Sequence, residues 1–194
     1  LNVDQPETTN VGFIGQLGSS SSIYDLSLSN VAVSGYRNVG GMVGKNAGDL
    51  SNVSVDSGSS IESVYGYAGG LIGVDYDGVI SSASSAATVS GSGTYYYNDY
   101  TGGLVGYKYL GSITDSSAFG NVTGDYGVGG LVGYSESVTI TRSTASGTAS
   151  GSSSSVGGLV GNSYSTTITE RSASGNVPGR SSYVGGLVGY LSSA

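Results

Sequence analysis

The side chains with chemical capacity in this chain are serine, aspartate and tyrosine, because histidine, cysteine and tryptophan are absent. Nucleophilic catalysis needs a hydroxyl or thiol beside a positioned base, and acid–base catalysis needs a group poised to exchange a proton. Serine is abundant, yet no imidazole exists to activate it and no serine stands out from its neighbours in spacing. The chain therefore reads as non-catalytic, without a cofactor. Asp75 and Asp77, in Val74-Asp75-Tyr76-Asp77-Gly78, have the Asp-x-Asp-Gly spacing of a calcium-binding turn. A calcium loop continues to further acidic ligands and a closing glutamate. These do not follow, so the pair reads as an acidic turn and no metal site is expected. Tyrosine remains, and an exposed tyrosine offers a large contact area at low entropic cost. Tyr95, Tyr96, Tyr97, Tyr100, Tyr107 and Tyr109 are the candidate contacts for a glycan or protein partner.

The elements that must position these side chains come from a repeat. Val-Gly-Gly-Leu-Val-Gly occurs at residues 128–133, 156–161 and 184–189, with looser copies at 39–44, 68–73 and 101–106 and a degenerate one at 10–15. Start-to-start spacings of 29, 29, 33, 27, 28 and 28 residues mark a repeat architecture. A phosphate-cradling loop would need a following helix and usually a lysine. Tyr107, Tyr134, Asn162 and Tyr190 follow instead, with no helical pattern behind them.

A second signal, an aliphatic anchor, recurs at Ile23, Leu50, Ile80, Ile113, Ile140 and Ile168. Beyond it, small or apolar residues (Ala118, Gly120, Val122; Ala145, Gly147, Ala149; Ala173, Gly175, Val177) alternate with mostly polar ones, as in half-buried strands. Small inner residues predict a coil that is thin there. The phase changes at Ser116, Ser143 and Arg171, which predicts a bend between two short strands. The expected fold is all-β: a β-solenoid of about six stacked coils of about 28 residues, one domain over residues 10–194, with residues 1–9 as a cap or edge strand. The third repeat is lengthened by the tyrosine-rich segment 93–100, which breaks the period and has no stacking duty in this reading.

A net charge of −7 with only six lysines and arginines disfavours nucleic acid. No apolar run of about 18 residues is present to span a membrane. Leu and Val are adjacent in the motif, so an extended strand would expose one of them as an apolar ladder unless a local bend turns both inward. An exposed ladder and open end coils would invite end-to-end assembly into a filament or homo-oligomer. Leu1, Val3, Val184, Leu187 and Val188 are the candidate assembly residues, because the last coil is unfinished at 184–194. The row Ser27, Ser54, Ser84, Ser117, Thr144 and Ser172 makes a third possibility, ice binding through a flat hydroxyl face.

Gly-Gly-Leu-Val-Gly, followed by segments such as Ser112-Ile113-Thr114-Asp115-Ser116-Ser117-Ala118-Phe119-Gly120-Asn121-Val122-Thr123-Gly124, resembles the GLUG-motif repeats of bacterial surface and secreted proteins. The resemblance covers nearly the whole chain from Asn10 onward. It implies a solenoid-like β fold, an extracellular setting at the cell surface, and a non-catalytic role of the kind such repeats have in large adhesins and in immunoglobulin A1-cleaving metalloproteases. The protease's zinc motif, His-Glu-x-x-His, is absent from a sequence without histidine.

Overall fold

The computed structural model describes residues 1–93, 99–179 and 181–193. Every element in it is a strand, and every pairing is parallel and joins equivalent residues of successive coils. A central coil shows the pattern: Gly127–Gly129, Val132–Glu136, Thr139–Thr141, Thr144–Ala145 and Ala149–Gly151. In the first two coils the strands run longer, and Ala32–Gly40 and Asp49–Val55 each pair with two shorter strands of the next coil. The stack containing Val132–Glu136 has seven strands, so about seven turns are present, the degenerate first motif included. Residues 1–9 are mostly part of a strand, Asn2–Val11, which pairs with Ala32–Gly40 through an irregularity between Gln5 and Thr9.

The core is the repeat itself. Motif residues Met42, Leu71, Leu104, Leu131 and Leu159, their neighbours Val43, Ile72, Val105, Val132 and Val160, and the anchors Leu50, Ile80, Ile113 and Ile140 are all fully buried. Leu and Val both face inward because the motif bends between its two strands. The amides of Leu131 and Val132 both donate to the Leu159 carbonyl, at 2.8 and 3.0 Å, and Leu104 and Val105 do the same to Leu131. In an extended strand successive amides point to opposite sides; here they converge on one acceptor. The exposed apolar ladder that would have invited assembly is therefore absent among the described coils. Of the assembly candidates, Val3, Leu187 and Val188 pack partly against the core, while Leu1 and Val184 are 53% and 46% exposed.

The motif glycines set the thickness. A Cβ on Gly130 would collide with Gly158 O and come within 2.9 Å of Ala145 Cβ across the coil. Glycine on one wall facing alanine on the other is the thin section anticipated from the small inner residues. The alternation holds as well: Ala118, Gly120 and Val122 are buried, while Phe119 is 54% exposed.

The bend after the anchor is a left-handed residue repeated at Asp25, Asn52, Ser82, Asp115, Arg142 and Glu170, with φ of 54, 51, 50, 51, 47 and 49°. It lies one residue before the serines at the phase change. Those serines turn inward and repair the interrupted ladder: Ala83 N donates to Ser116 Oγ and Ser116 N to Ser143 Oγ, each at 3.2 Å. Buried amides need such partners, since an unmet one costs about 1–3 kcal/mol. Outside, Arg142 makes a two-pronged contact to Asp115 at 2.7 and 2.9 Å. That bond holds the Asp115 carboxyl below the usual range, but both side chains are about half exposed, so the pair adds little stability.

Candidate functional site

The motif's second strand carries tyrosines outward at nearly every coil, and stacking brings them together. Tyr107 and Tyr134 lie 4.9 Å apart with rings 4° from parallel; Tyr134 to Tyr164 is 5.4 Å and Tyr164 to Tyr190 is 5.6 Å. Tyr76 extends the row at 6.3 Å from Tyr107. Tyrosines preceding the motif join from the adjacent stack: Tyr67 sits 5.1 Å from Tyr107, Tyr100 sits 4.7 Å from Tyr134, and Tyr183 sits 5.3 Å from Tyr190. The result is one aromatic stripe along the solenoid edge, with a separate stacked pair at Tyr36 and Tyr65. Pairs of this kind are worth about 0.5–1.5 kcal/mol each beyond their burial.

Of the sequence candidates, Tyr107 is half-buried in the stripe and Tyr109 is 36% exposed at its margin, edge-on to Tyr76. Tyr100 is 7% exposed and packs at the base of the stripe, so this residue of the period-breaking segment does have a stacking duty. Tyr95, Tyr96 and Tyr97 lie outside the described residues.

Burial raises the hydroxyl pKa of the three central tyrosines Tyr100, Tyr107 and Tyr134. It pushes Tyr107 up to about 12, with Glu136 adding to the effect, and moves Tyr100 and Tyr134 up as well. An unfolded tyrosine ionises near pH 10. Below that the stripe's contribution to stability is complete; as pH rises from about 10 through 12, the unfolded chain sheds protons that the folded chain still holds. Circular dichroism is therefore expected to stay constant from neutrality to about pH 10 and to fall above it, with phenolate absorbance rising alongside. Phenolate that titrates normally with the fold intact would show the hydroxyls to be freely solvated.

The stripe ends toward the N-terminal coils in a pair of cations. Arg37 lies over the Tyr67 ring at 5.2 Å and Lys45 over Tyr76 at 5.6 Å. They line a cleft of about 300 Å³ with Thr9, Asn10, Asn38, Tyr67 and Tyr76. A second cleft of about 220 Å³ lies toward the other end, between Tyr100, Tyr126, Tyr164, Tyr183 and Tyr190.

Sequence reading missed a ladder inside the coil. Leu17, Asn46, Asp75, Lys108, Ser135, Ser163 and Leu191 are register partners in successive coils. Asn46, Asp75, Lys108, Ser135 and Ser163 are fully buried. Lys108 Nζ donates to Asp75 Oδ2 and, at 2.7 Å, to Gly78 O; Asn46 Nδ2 donates to Asp75 Oδ1 and to Gly48 O, both at 2.7 Å. Burial pushes the Asp75 carboxyl up and the Lys108 amine down, each opposed by the other's charge. Asp75 and Asp77 thus do not converge: Asp75 faces the interior, while Asp77 is exposed at a left-handed corner with φ of 66°. The available signal was positional, since all the polar members fall three residues after the motif's last apolar residue.

The outward hydroxyl row is also in register, with Ser54 Oγ donating to Ser27 Oγ at 2.8 Å and Thr144 Oγ1 to Ser117 Oγ at 3.1 Å. The Arg142–Asp115 pair and the exposed Phe119 flank it.

Comparison with known proteins agrees with this geometry. Residues 97–123 match the GLUG motif, a span that takes in the strands from Tyr100–Gly102 to Ser117–Ala118, most of one coil. Halomucin of Haloquadratum walsbyi (strain DSM 16790 / HBSQ001) is 40% identical over 57 residues, which is 28% of this chain and 1% of halomucin. The chain thus covers a very small part of that relative's length. No solved structure matches the chain. The resemblance to GLUG-motif repeats is borne out, and the two matches together suggest a repeat protein of the extracellular surface.

Proposed function

We propose that this chain is a non-catalytic, adhesin-like surface segment or stalk that binds glycan along its tyrosine edge. The observation that carries this is the run Tyr76, Tyr107, Tyr134, Tyr164 and Tyr190, which presents partly exposed rings on successive coils. An extended polymer laid along the axis meets an aromatic surface at each coil, so weak contacts add up along its length. The Arg37–Lys45 end favours sugars bearing a carboxylate or sulfate, because among the described residues few other cations are free: Lys108 is buried on Asp75 and Arg142 is paired with Asp115. The buried Asp99 carboxyl lies within electrostatic reach of Arg37 and partly offsets that charge. The ion pair and phenylalanine beside the hydroxyl row weigh against a flat ice-binding face, and the inward Leu–Val pair weighs against assembly through that ladder.

The test is a glycan array followed by titration calorimetry on the best hit. Tyr134→Ala is expected to weaken binding about tenfold, the equivalent of about 1.4 kcal/mol, with Tyr134→Phe close to wild type because it keeps the ring. Arg37→Ala with Lys45→Ala is expected to weaken acidic glycans selectively. No glycan bound at millimolar concentration, or equal binding by Tyr134→Ala, would sink the reading.

A further inference from the structure

The buried group of Lys108, Asp75 and Asn46 has a use that the tyrosine edge does not require. We propose that Lys108 and Asp75 are joined in the mature protein by an intramolecular amide bond, formed by condensation of the lysine amine with the aspartate carboxyl. The three side chains are fully buried and held by one another, a dry, fixed encounter of amine and carboxyl that water does not interrupt. Oriented groups of this kind react with effective concentrations of about 10⁵–10⁸ M.

The atoms are placed for each stage. The Nζ lone pair adds to Asp75 Cγ, and the growing negative charge falls on Oδ1, to which Asn46 Nδ2 already donates at 2.7 Å. In the neutral pair Oδ2 already carries the acid proton; a second passes to it from Nζ, its hydrogen-bond partner, the Oδ1 carbonyl re-forms as the Cγ–Oδ2 bond breaks, and water leaves. The step is redox-neutral and needs no co-reactant. The product is satisfied by the partners already present: the new amide oxygen keeps Asn46, and the new N–H keeps Gly78 O, now 2.7 Å from Nζ. It also removes two opposite charges from the interior, where their lost hydration is repaid only in part by their attraction. Burial drives both groups toward the neutral acid and neutral amine that react, while the exposed Asp49 and Asp77 act on Lys108 in the opposite sense.

The position has a mechanical logic. Asp75 and Lys108 are 33 residues apart, across the junction that holds the one long insertion, where the other repeats are 27 to 29 residues apart. Closing that loop removes conformational freedom from the unfolded chain, and a chain without cysteine cannot do so by a disulfide.

The experiment is the intact mass of the full chain, purified by way of denaturant, together with its tryptic map. The expected mass is lower than the sequence mass by one water. Trypsin has no site between Asp75 and Lys108, so the map should show one internally looped peptide, residues 46–142, lighter than its sequence by one water, with cleavage after Lys108 lost. Asp75→Ala and Lys108→Arg are expected at their full sequence masses, and Asn46→Ala as a mixture with the uncrosslinked form. A wild-type chain at full sequence mass, cut after Lys108, would overturn the proposal and leave a buried ion pair. The mass is read on denatured protein, so the wild-type result decides whether or not the variants fold.

Discussion

Gly130→Val is expected to yield a chain that does not form the solenoid, with no cooperative melt and strand content largely lost by circular dichroism. The Cβ alone would collide with the Gly158 carbonyl of the next coil and press on Ala145 Cβ at 2.9 Å. Neither neighbour can yield. Gly158 belongs to the same motif one coil on, and its own Cβ position is blocked by Gly186 O. Ala145 belongs to the strand Thr144–Ala145, whose register is fixed by partners on both sides. Overpacking of a well-packed site ordinarily costs about 1–3 kcal/mol, but here backbone meets backbone, so the loss should exceed about 4–5 kcal/mol and approach the stability of a whole domain. Thr123→Val, on the exposed face of Val122–Gly124, serves as the control and is expected to stay within about 0.5 kcal/mol of wild type. A Gly130→Val chain that melts within a few degrees of wild type would mean that the two walls can part.

The second large effect concerns the interior ladder. Asp75→Ala strands the Lys108 amine beside Gly78 O with no counter-charge, in a position with no solvent access. Breaking a buried pair from one side typically costs about 3–5 kcal/mol. Lys108→Met strands the carboxylate instead and is expected to cost a similar amount. The double variant, Asp75→Ala with Lys108→Met, leaves no charge stranded and should melt above either single variant. Additive single losses in the double variant would show that the two groups do not interact. The pH response separates the singles further: with Lys108 removed, acid should relieve the strain by protonating Asp75, so Lys108→Met should recover stability as pH falls.

Much of the architecture was legible in the sequence because a solenoid repeats its constraints. The motif's regular return predicted the parallel stacking of equivalent residues, and the alternation around Ala118, Gly120 and Val122 predicted which of them point inward. The break in alternation at Ser116 and Ser143 marked a bend. It did not reveal that Asp115 and Arg142 adopt the left-handed turn while the serine hydroxyls replace lost backbone partners. The candidate site was less legible. Tyr107, named as a candidate contact, lies half-buried in the stripe, and Tyr100 was given no stacking duty because its segment breaks the period, whereas its ring packs under Tyr134.

By itself, then, the sequence determined the period, the all-β class and the absence of imidazole and thiol chemistry, each a property of residue type or spacing along the chain. Only the tertiary structure decided that Leu131 and Val132 share one side, that Asn46, Asp75 and Lys108 meet in the interior, and which tyrosine rings touch. Those outcomes depend on how two successive amides share one carbonyl and how closely glycine lets opposite walls approach. The first is a distance between coils and the second a distance across one coil, and spacing along the chain encodes neither.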